Sequence, residues 1–440
     1  MRQFDLVIIG FGKGGKTLAK FASAQGKKVA VIEKSKKMYG GTCINVGCIP
    51  SKTLVHEGLT HNDFNKAFSR KKDVVDALNN KNYHNLADDN NIEVLDYTAK
   101  FKSNNEVKLL NDNEDVVETL HAEDVVINTG AMSVIPPITG VESSQHLYDS
   151  AGIMSLDFQP KQLVIIGAGY IALEFASMFA NFDTQVTVLE RGNDIMPKED
   201  HDIVTEVKKD LANKGVNIIY NVNTERFEDT ESGTIVHTSN GDYEADAVLL
   251  ATGRKPNVDL DLDNTDVTLG EHGEIKVNEY LQTDAQHVYA IGDVKGGMQF
   301  TYISLDDFRI VKDQLFGTGV RSTENRGAVP YTVFIDPPMA RVGLTGQEAK
   351  NQGYNVIENA LPVNAIPRHK VNNDPRGLFK VVVNKDTETI LGATLYGLES
   401  EEIINVLKLA IDQKLNYKVL KDNIYTHPTM VESFNDLFDM

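Results

Sequence analysis

Two stretches of the chain pass through the same order of apolar runs and glycine-rich turns. Phe4 to Ile9 is apolar and β-branched apart from Asp5, which predicts a strand. Gly10-Phe11-Gly12-Lys13-Gly14-Gly15 follows, then Leu18, Phe21 and Ala22 recur at helical spacing. Lys28 to Ile32 predicts a second strand, which ends at Glu33. The order returns at Leu163 to Ile166, a strand, followed by the turn Gly167-Ala168-Gly169-Tyr170-Ile171-Ala172. A helix runs on to about Phe182, and Gln185 to Leu189 is a strand ending at Glu190. In both units the acid lies 23 residues beyond the first glycine, so the two are an internal repeat.

The rest of the pattern divides the chain further. Asp63 to Asn113 is polar and rich in Asn, Lys and Asp, and predicts helices with a small antiparallel excursion. Pro136-Pro137 and the segment to Ser155 read as a crossover linker. Beyond Pro330 the texture changes. Leu378 to Val383 and Ile390 to Tyr396 predict strands, and Ile403, Val406, Leu407, Ala410 and Ile411 mark an amphipathic helix. The expected architecture is α/β, with two dinucleotide-type βαβ units and a separate α+β domain at the C-terminus.

With 440 residues, the chain is long enough for two to four domains. Its net charge of −19 argues against binding a nucleic-acid backbone or an anionic membrane surface. The longest apolar stretch, Leu163 to Phe182, is interrupted by Glu174 and by the glycine turn, so it reads as strand plus helix and not as a membrane span. No export signal is convincing, and the cytoplasm is the expected compartment. Two cysteines exclude a disulfide-rich scaffold, a four-cysteine zinc site and a cysteine-ligated iron–sulfur cluster, and no metal site is expected.

A lone GxGxxG is weak evidence. Here each turn follows a strand, opens a helix and is followed by an acid about 20 residues on, as a dinucleotide site requires. Gly10, Gly12 and Gly15, and Gly167, Gly169 and Ala172, let a pyrophosphate approach a helix N-terminus, where free N–H groups meet its charge. Glu33 and Glu190 are placed to accept hydrogen bonds from ribose hydroxyls. Two such sites imply two dinucleotides, for which flavin plus nicotinamide is the economical pair. Glu190 favours NADH because it repels a 2′-phosphate; Arg191 directly follows and leaves NADPH possible.

Both cysteines fall in Gly40-Gly41-Thr42-Cys43-Ile44-Asn45-Val46-Gly47-Cys48-Ile49-Pro50-Ser51-Lys52. If this stretch begins a helix, both sulfurs can approach one side of its first turn. The helix dipole and Lys52 would then increase thiolate. The bland alternatives are a pair of inert buried cysteines or half of a metal site.

That thirteen-residue stretch resembles the redox-active disulfide motif of the FAD-dependent pyridine nucleotide–disulfide oxidoreductases. The resemblance covers essentially the whole chain. Thr129-Gly130-Ala131 and Ala251-Thr252-Gly253-Arg254-Lys255-Pro256-Asn257 resemble the family's two strand-end turns. Tyr289-Ala290-Ile291-Gly292-Asp293 resembles its second FAD motif, and His427-Pro428-Thr429 with Glu432 its C-terminal His–Glu pair. The resemblance implies two Rossmann-like domains binding FAD and NAD(P), plus a C-terminal dimerisation domain. The implied division is residues 1–145 for the first part of the FAD domain, 146–255 for the NAD(P) domain, 256–325 for the return of the FAD domain, and 326–440 for the interface domain.

It also implies the roles. Gly41, Thr42, Thr129, Gly130 and Asp293 join the first glycine turn and Glu33 around FAD. Gly253 joins the second turn around NAD(P), and Tyr170 covers the nicotinamide pocket. Lys52 and Glu174 pair near the flavin. Electrons pass from reduced nicotinamide through flavin to a Cys43–Cys48 disulfide. Cys48 becomes the thiolate beside the flavin, and Cys43 the thiol that meets substrate. His427, oriented by Glu432 and supplied by the other subunit of an obligate homodimer, serves as acid and base.

The chain has no second cysteine pair near its C-terminus, as large thioredoxin reductases and mercuric reductases have, so those activities are not expected. Phe300 to Arg309 and Ile366-Pro367-Arg368 resemble the bacterial reactive-chlorine-resistance flavoproteins and hypothiocyanous acid reductases. The expected substrate is therefore a small oxidant, hypothiocyanous acid first. Dihydrolipoamide dehydrogenase or a glutathione-type reductase is the alternative within the family. A flavin oxidase or an NADH sensor that bypasses the cysteines is the alternative outside it.

Overall fold

The structure is a computed structural model that describes residues 1–440. The first apolar run forms the strand Arg2–Ile9, which pairs in parallel with Val29–Ile32 on one side and Val116–Ile127 on the other. Val29–Ile32 is buried along its whole length, as expected of a strand covered on both faces. The outer edge of Val116–Ile127 is used twice. Its beginning pairs antiparallel with Glu106–Leu110, and its end pairs in parallel with Val288–Ala290. The chain thus leaves the first sheet and returns to it more than 150 residues later. Asp63 to Asn113 holds one long helix, Phe64–Ala87, and the antiparallel pair Thr98–Ser103 and Glu106–Leu110. Asp63 caps that helix by accepting a hydrogen bond from the Lys66 N–H.

The second unit is a five-stranded parallel sheet in the order Asn217–Ile219, Gln185–Leu189, Gln162–Ile166, Ala247–Leu250, Leu147–Tyr148. Leu163 to Phe182 divides as expected into a strand and the helix Tyr170–Ala180, and no helix of the chain is long and apolar enough to cross a membrane. A two-stranded ribbon, Ala131–Ser133 with Arg254–Pro256, bridges the two units.

The C-terminal part is a five-stranded antiparallel sheet in the order Tyr331–Val333, Met339–Gly343, Ile390–Tyr396, Leu378–Asn384, Val356–Pro362. Ile403, Ile404, Leu407 and Ala410 of the helix Ser400–Asp412 share a core with Phe379, Val381 and Leu395 of that sheet. Val406, by contrast, is 38% exposed. The largest apolar cluster crosses all three parts. It joins Leu54 and Phe64 to Phe175, Phe179 and Phe182, and onward to Val333, Met339 and Tyr396. This shared core holds the cysteine-bearing segment, the second glycine unit and the C-terminal sheet in one arrangement.

Candidate active site

The two glycine turns are built alike, down to their acids. Gly10 and Gly167 both have positive φ, +104° and +96°, and a Cβ on either would strike the backbone of a neighbouring strand. Glu33 accepts hydrogen bonds from the Phe11 N–H at 3.1 Å and the Ser35 N–H at 3.1 Å. Glu190 accepts from the Ala168 N–H at 2.8 Å and the Gly192 N–H at 2.5 Å. Each acid therefore closes its own turn. Burial pushes the Glu33 carboxyl up. Gly169 and Gly253 have open space where a Cβ would be, Ala172 is buried in its helix, and Arg191 is exposed.

The first turn is braced by a residue that the sequence reading passed over. Asn128 is 6% exposed; its Oδ1 accepts from the Gly15 N–H at 2.9 Å and its Nδ2 donates to the Ile291 carbonyl at 2.9 Å. It ties the glycine turn to the strand that leads into Asp293. That aspartate lies in a short 3₁₀ turn, Gly292–Lys295, and burial raises its carboxyl. Thr129 and Asn257 lock the two strand-end turns together, Thr129 Oγ1 donating to the Asn257 carbonyl at 2.7 Å and Asn257 Nδ2 to the Thr129 carbonyl at 2.9 Å. Gly41 packs so closely on Gly12 that a Cβ would come within 2.7 Å of its Cα, while Gly130 lies beside Thr42. These residues form one cradle of backbone amides and small side chains, which suits a pyrophosphate and its ribose.

The cysteines do not share one helix. Cys43 belongs to the short helix Thr42–Asn45, and Cys48 is the first residue of Cys48–Thr60. Gly47, at φ −128° and ψ −119°, breaks the path between them. A Cβ there would meet the Thr42 carbonyl at 2.9 Å and the Cys43 Cα at 3.2 Å, so only glycine lets the chain fold back and bring the sulfurs together. Both cysteines are free thiols; Cys48 is exposed and Cys43 half-buried. The neighbouring Cys43 thiol holds Cys48 below the usual thiol range, with Thr301 and the Lys52 charge adding to the effect. Cys43 is pushed up, first by its pairing with Cys48 and then by burial. The pair is thus poised as one thiolate, Cys48, and one thiol, Cys43.

Thr301 lies within the distinctive stretch Phe300 to Arg309, but the sequence alone assigns it no role at the cysteines. It opens the helix Thr301–Phe316, and its Oγ1 lies 3.5 Å from Cys48 Sγ. Two helix N-termini, at Cys48 and at Thr301, therefore converge on one sulfur, where their dipoles favour negative charge. Ser304, one turn on, accepts from the Gly14 N–H at 3.0 Å and fixes this helix to the first glycine turn. Lys52 Nζ donates to Glu174 Oε2 at 2.6 Å, the pairing expected from the resemblance. The other oxygen of Glu174 accepts from the Phe334 N–H at 2.8 Å, and the Lys52 ammonium sits 4.6 Å over the Phe334 ring. The C-terminal sheet thereby takes part in placing the lysine.

His427 and Glu432 meet as expected, Nδ1 to Oε2 at 2.8 Å, and Glu432 Oε1 accepts from the Thr429 N–H at 3.1 Å. The histidine side chain is 69% exposed. Its solvent-facing position contrasts with the half-buried Cys43, and fits a group that looks outward from its own chain.

Two nucleotide cradles, a thiol pair between them and a further sheet domain define a dinucleotide-dependent dithiol oxidoreductase. The chain belongs to the pyridine nucleotide-disulphide oxidoreductase family, whose pattern matches residues 4–307, with the family's dimerisation domain over residues 329–438. It is an enzyme of the type that uses FAD and NAD(P)H. Over 441 aligned residues it is 47% identical to the probable pyridine nucleotide-disulfide oxidoreductase RclA of Escherichia coli, covering 100% of both chains. Mercuric reductase of Staphylococcus aureus is 33% identical over 98% of this chain and 81% of its own. The solved structure of the HOCl-induced flavoprotein disulfide reductase RclA from E. coli, in its Cu(II) complex, superposes with a TM-score of 0.97 at 47% identity, covering 100% of this chain and 99% of that one.

Proposed function

We propose that this enzyme is an NADH-driven flavoprotein reductase of the oxidant defence, and that its substrate is hypothiocyanous acid. The observation that carries the reading is the asymmetry of the thiol pair, with Cys48 beside Thr301 and held low and Cys43 pushed up, which supports Cys43 as the sulfur that meets substrate. The relative whose solved structure is described as HOCl-induced supports a role against reactive chlorine species and their products. Residues 1–145 and 256–325 would form the FAD part, 146–255 the NAD(P) part and 326–440 the interface of a homodimer. When bound, FAD relays two electrons from the nicotinamide to the cysteine pair.

In the proposed sequence, the Cys43 thiol passes its proton to His427 of the partner subunit and attacks the electrophilic sulfur of hypothiocyanous acid, and a Cys43–sulfur bond forms as hydroxide leaves. That histidine, oriented by Glu432 of its own chain, then returns the Cys43 proton to the leaving hydroxide, which departs as water. The Cys48 thiolate then attacks the Cys43 sulfur, thiocyanate departs, and the disulfide is restored. Each turn consumes one hydride and one molecule of hypothiocyanous acid and returns thiocyanate and water. Lys52 and Thr301 hold the Cys48 charge before that attack, and Tyr170 covers the approach from the second nucleotide cradle. Glu190, with its carboxylate turned into the cradle, selects NADH.

Steady-state kinetics with NADH against hypothiocyanous acid, lipoamide, glutathione disulfide and Hg²⁺ test the reading. Fast turnover of hypothiocyanous acid, abolished by Cys43→Ser, is expected. Fast turnover of lipoamide with none of hypothiocyanous acid would replace the substrate. Full turnover in Cys43→Ser would move the protein to the oxidase or sensor class.

A further inference from the structure

Glu199 plays no part in hydride or thiol chemistry, yet its carboxylate is among the most deeply buried in the chain. Its side chain is 0% exposed. It lies between the strand Gln185–Leu189 and the helix His201–Asn213, within the second nucleotide unit. Oε1 accepts hydrogen bonds from two tyrosines at once, Tyr170 at 2.5 Å and Tyr331. Oε2 accepts from Arg341 Nη1 at 3.3 Å. Arg341 is held in turn by the Lys198 carbonyl at 2.8 Å and by Glu348. Burying a carboxylate in this way is costly, and an apolar group of the same volume would pack as well. What the charge adds is a fixed position for two aromatic rings.

Those rings begin a row of aromatic side chains that runs from the second cradle toward Cys48. Tyr170 is the first residue of the helix whose N-terminus forms that cradle. Its ring lies 5.8 Å from that of Tyr331, centroid to centroid. Tyr331 stacks with Phe300 at 6.2 Å, and Phe300 with Tyr302 at 5.1 Å. Phe300 directly precedes Thr301, which touches Cys48. In the reading above, a nicotinamide nucleotide whose pyrophosphate lay at Gly169 would bring its ring past Tyr170, the first member of this aromatic row. The Tyr170 hydroxyl has Glu199 as its partner, so moving the ring breaks that bond. Tyr331 and Arg341 belong to the C-terminal sheet, so the bond also joins the nucleotide unit to that sheet.

We propose that Glu199 is a positioning residue that latches Tyr170 shut against Tyr331, so that the nicotinamide pays for entry by releasing one hydroxyl–carboxylate bond. The inference rests on the reading above in which Tyr170 covers the nicotinamide approach, and deepens it by naming what holds the cover. The latch lowers the fraction of enzyme open to the nucleotide, which weakens apparent affinity by that fraction. It also keeps the reduced flavin covered between turnovers.

The test is rapid mixing of the FAD-loaded enzyme with NADH, following flavin reduction against NADH concentration, together with NADH oxidation by O₂ when no other oxidant is present. Tyr170→Phe keeps the ring and removes the bond. It should lower the NADH concentration for half-maximal reduction by roughly tenfold, as loss of a hydrogen bond to a charged group implies, and raise the leak to O₂. Tyr331→Phe leaves the Tyr170 bond and should shift both readouts in the same direction by less. Glu199→Gln should resemble Tyr170→Phe; if it fails to fold, the two phenylalanine variants, which keep the packing, decide the matter. Wild-type half-saturation and wild-type leak in Tyr170→Phe would overturn the latch while leaving the reductase reading intact. Absence of NADH-driven flavin reduction in the wild-type enzyme would overturn both.

Discussion

Replacing Thr301 by valine removes one hydroxyl from the thiolate and keeps nearly the same volume. Thr301 Oγ1 stands 3.5 Å from Cys48 Sγ, at the start of a helix whose dipole points the same way. A hydrogen bond to a charged group contributes about 1.5–3 kcal/mol. The contact is long and Cys48 is open to solvent, so the lower end applies, about 1.5 kcal/mol, or roughly one pH unit. The sign follows from the cause. The hydroxyl donates to the charged sulfur and lowers its ionisation, so its loss raises it. The long-wavelength thiolate–flavin absorption of the two-electron-reduced enzyme, titrated against pH, reads this directly. Its midpoint in Thr301→Val should move up by about one unit, and at neutral pH the band should weaken. Lys52→Met should move it in the same direction, because the Lys52 charge also favours the thiolate and its loss leaves Glu174 unpaired nearby. An unmoved midpoint in Thr301→Val, with flavin still bound, would show that the hydroxyl does not stabilise the sulfur and that the helix dipole and Lys52 suffice.

Glu190→Ser removes the charge that faces a 2′-phosphate, and the ratio of kcat/KM for NADPH to that for NADH should rise by about tenfold in steady-state assays. Gly12→Ala places a Cβ 2.5 Å from Asn128 Oδ1, so the purified variant should carry much less flavin by its absorbance ratio; full flavin content would show that the cradle yields. His427→Gln should slow turnover of the oxidised substrate about a hundredfold while NADH reduces the flavin at the wild-type rate, and Glu432→Gln should do the same to a smaller degree, measured as separate half-reactions. Asp307 is fully buried and accepts from Arg326 at 2.8 Å and from the Gly292 N–H at 2.9 Å. Asp307→Ala leaves Arg326 and Lys295 without it and should cost about 3–5 kcal/mol, seen as a lower unfolding temperature, with Asp307→Asn milder because it keeps the Gly292 bond.

Local order along the chain was enough to find both glycine turns, their acids 23 residues on, the cysteine pair and the strands Gln185–Leu189 and Ile390–Tyr396. Each is a short run whose hydrophobic period and turn residues constrain the backbone without help from distant parts. The break at Gly47 was not legible. It depends on the backbone of Thr42 and Cys43 folding back onto the glycine, where a helix from the motif onward would have served the same residues equally well. Lys52 and Glu174 stand 122 positions apart, and were paired by resemblance and not by pattern.

Asn128 and Glu199 carry no signature in one dimension, and Thr301 and Ser304, though inside the distinctive stretch Phe300 to Arg309, carry none that assigns them a contact. Their contacts join residues 113, 290, 253 and 132 positions apart. The sequence by itself determined which chemistry the chain carries and on which local turns. Only the tertiary structure decided which neutral side chains brace those turns and which buried carboxylate accepts a hydrogen bond from Tyr170. Hydrogen bonds and burial are properties of neighbours in space, and here those neighbours come from opposite ends of the chain.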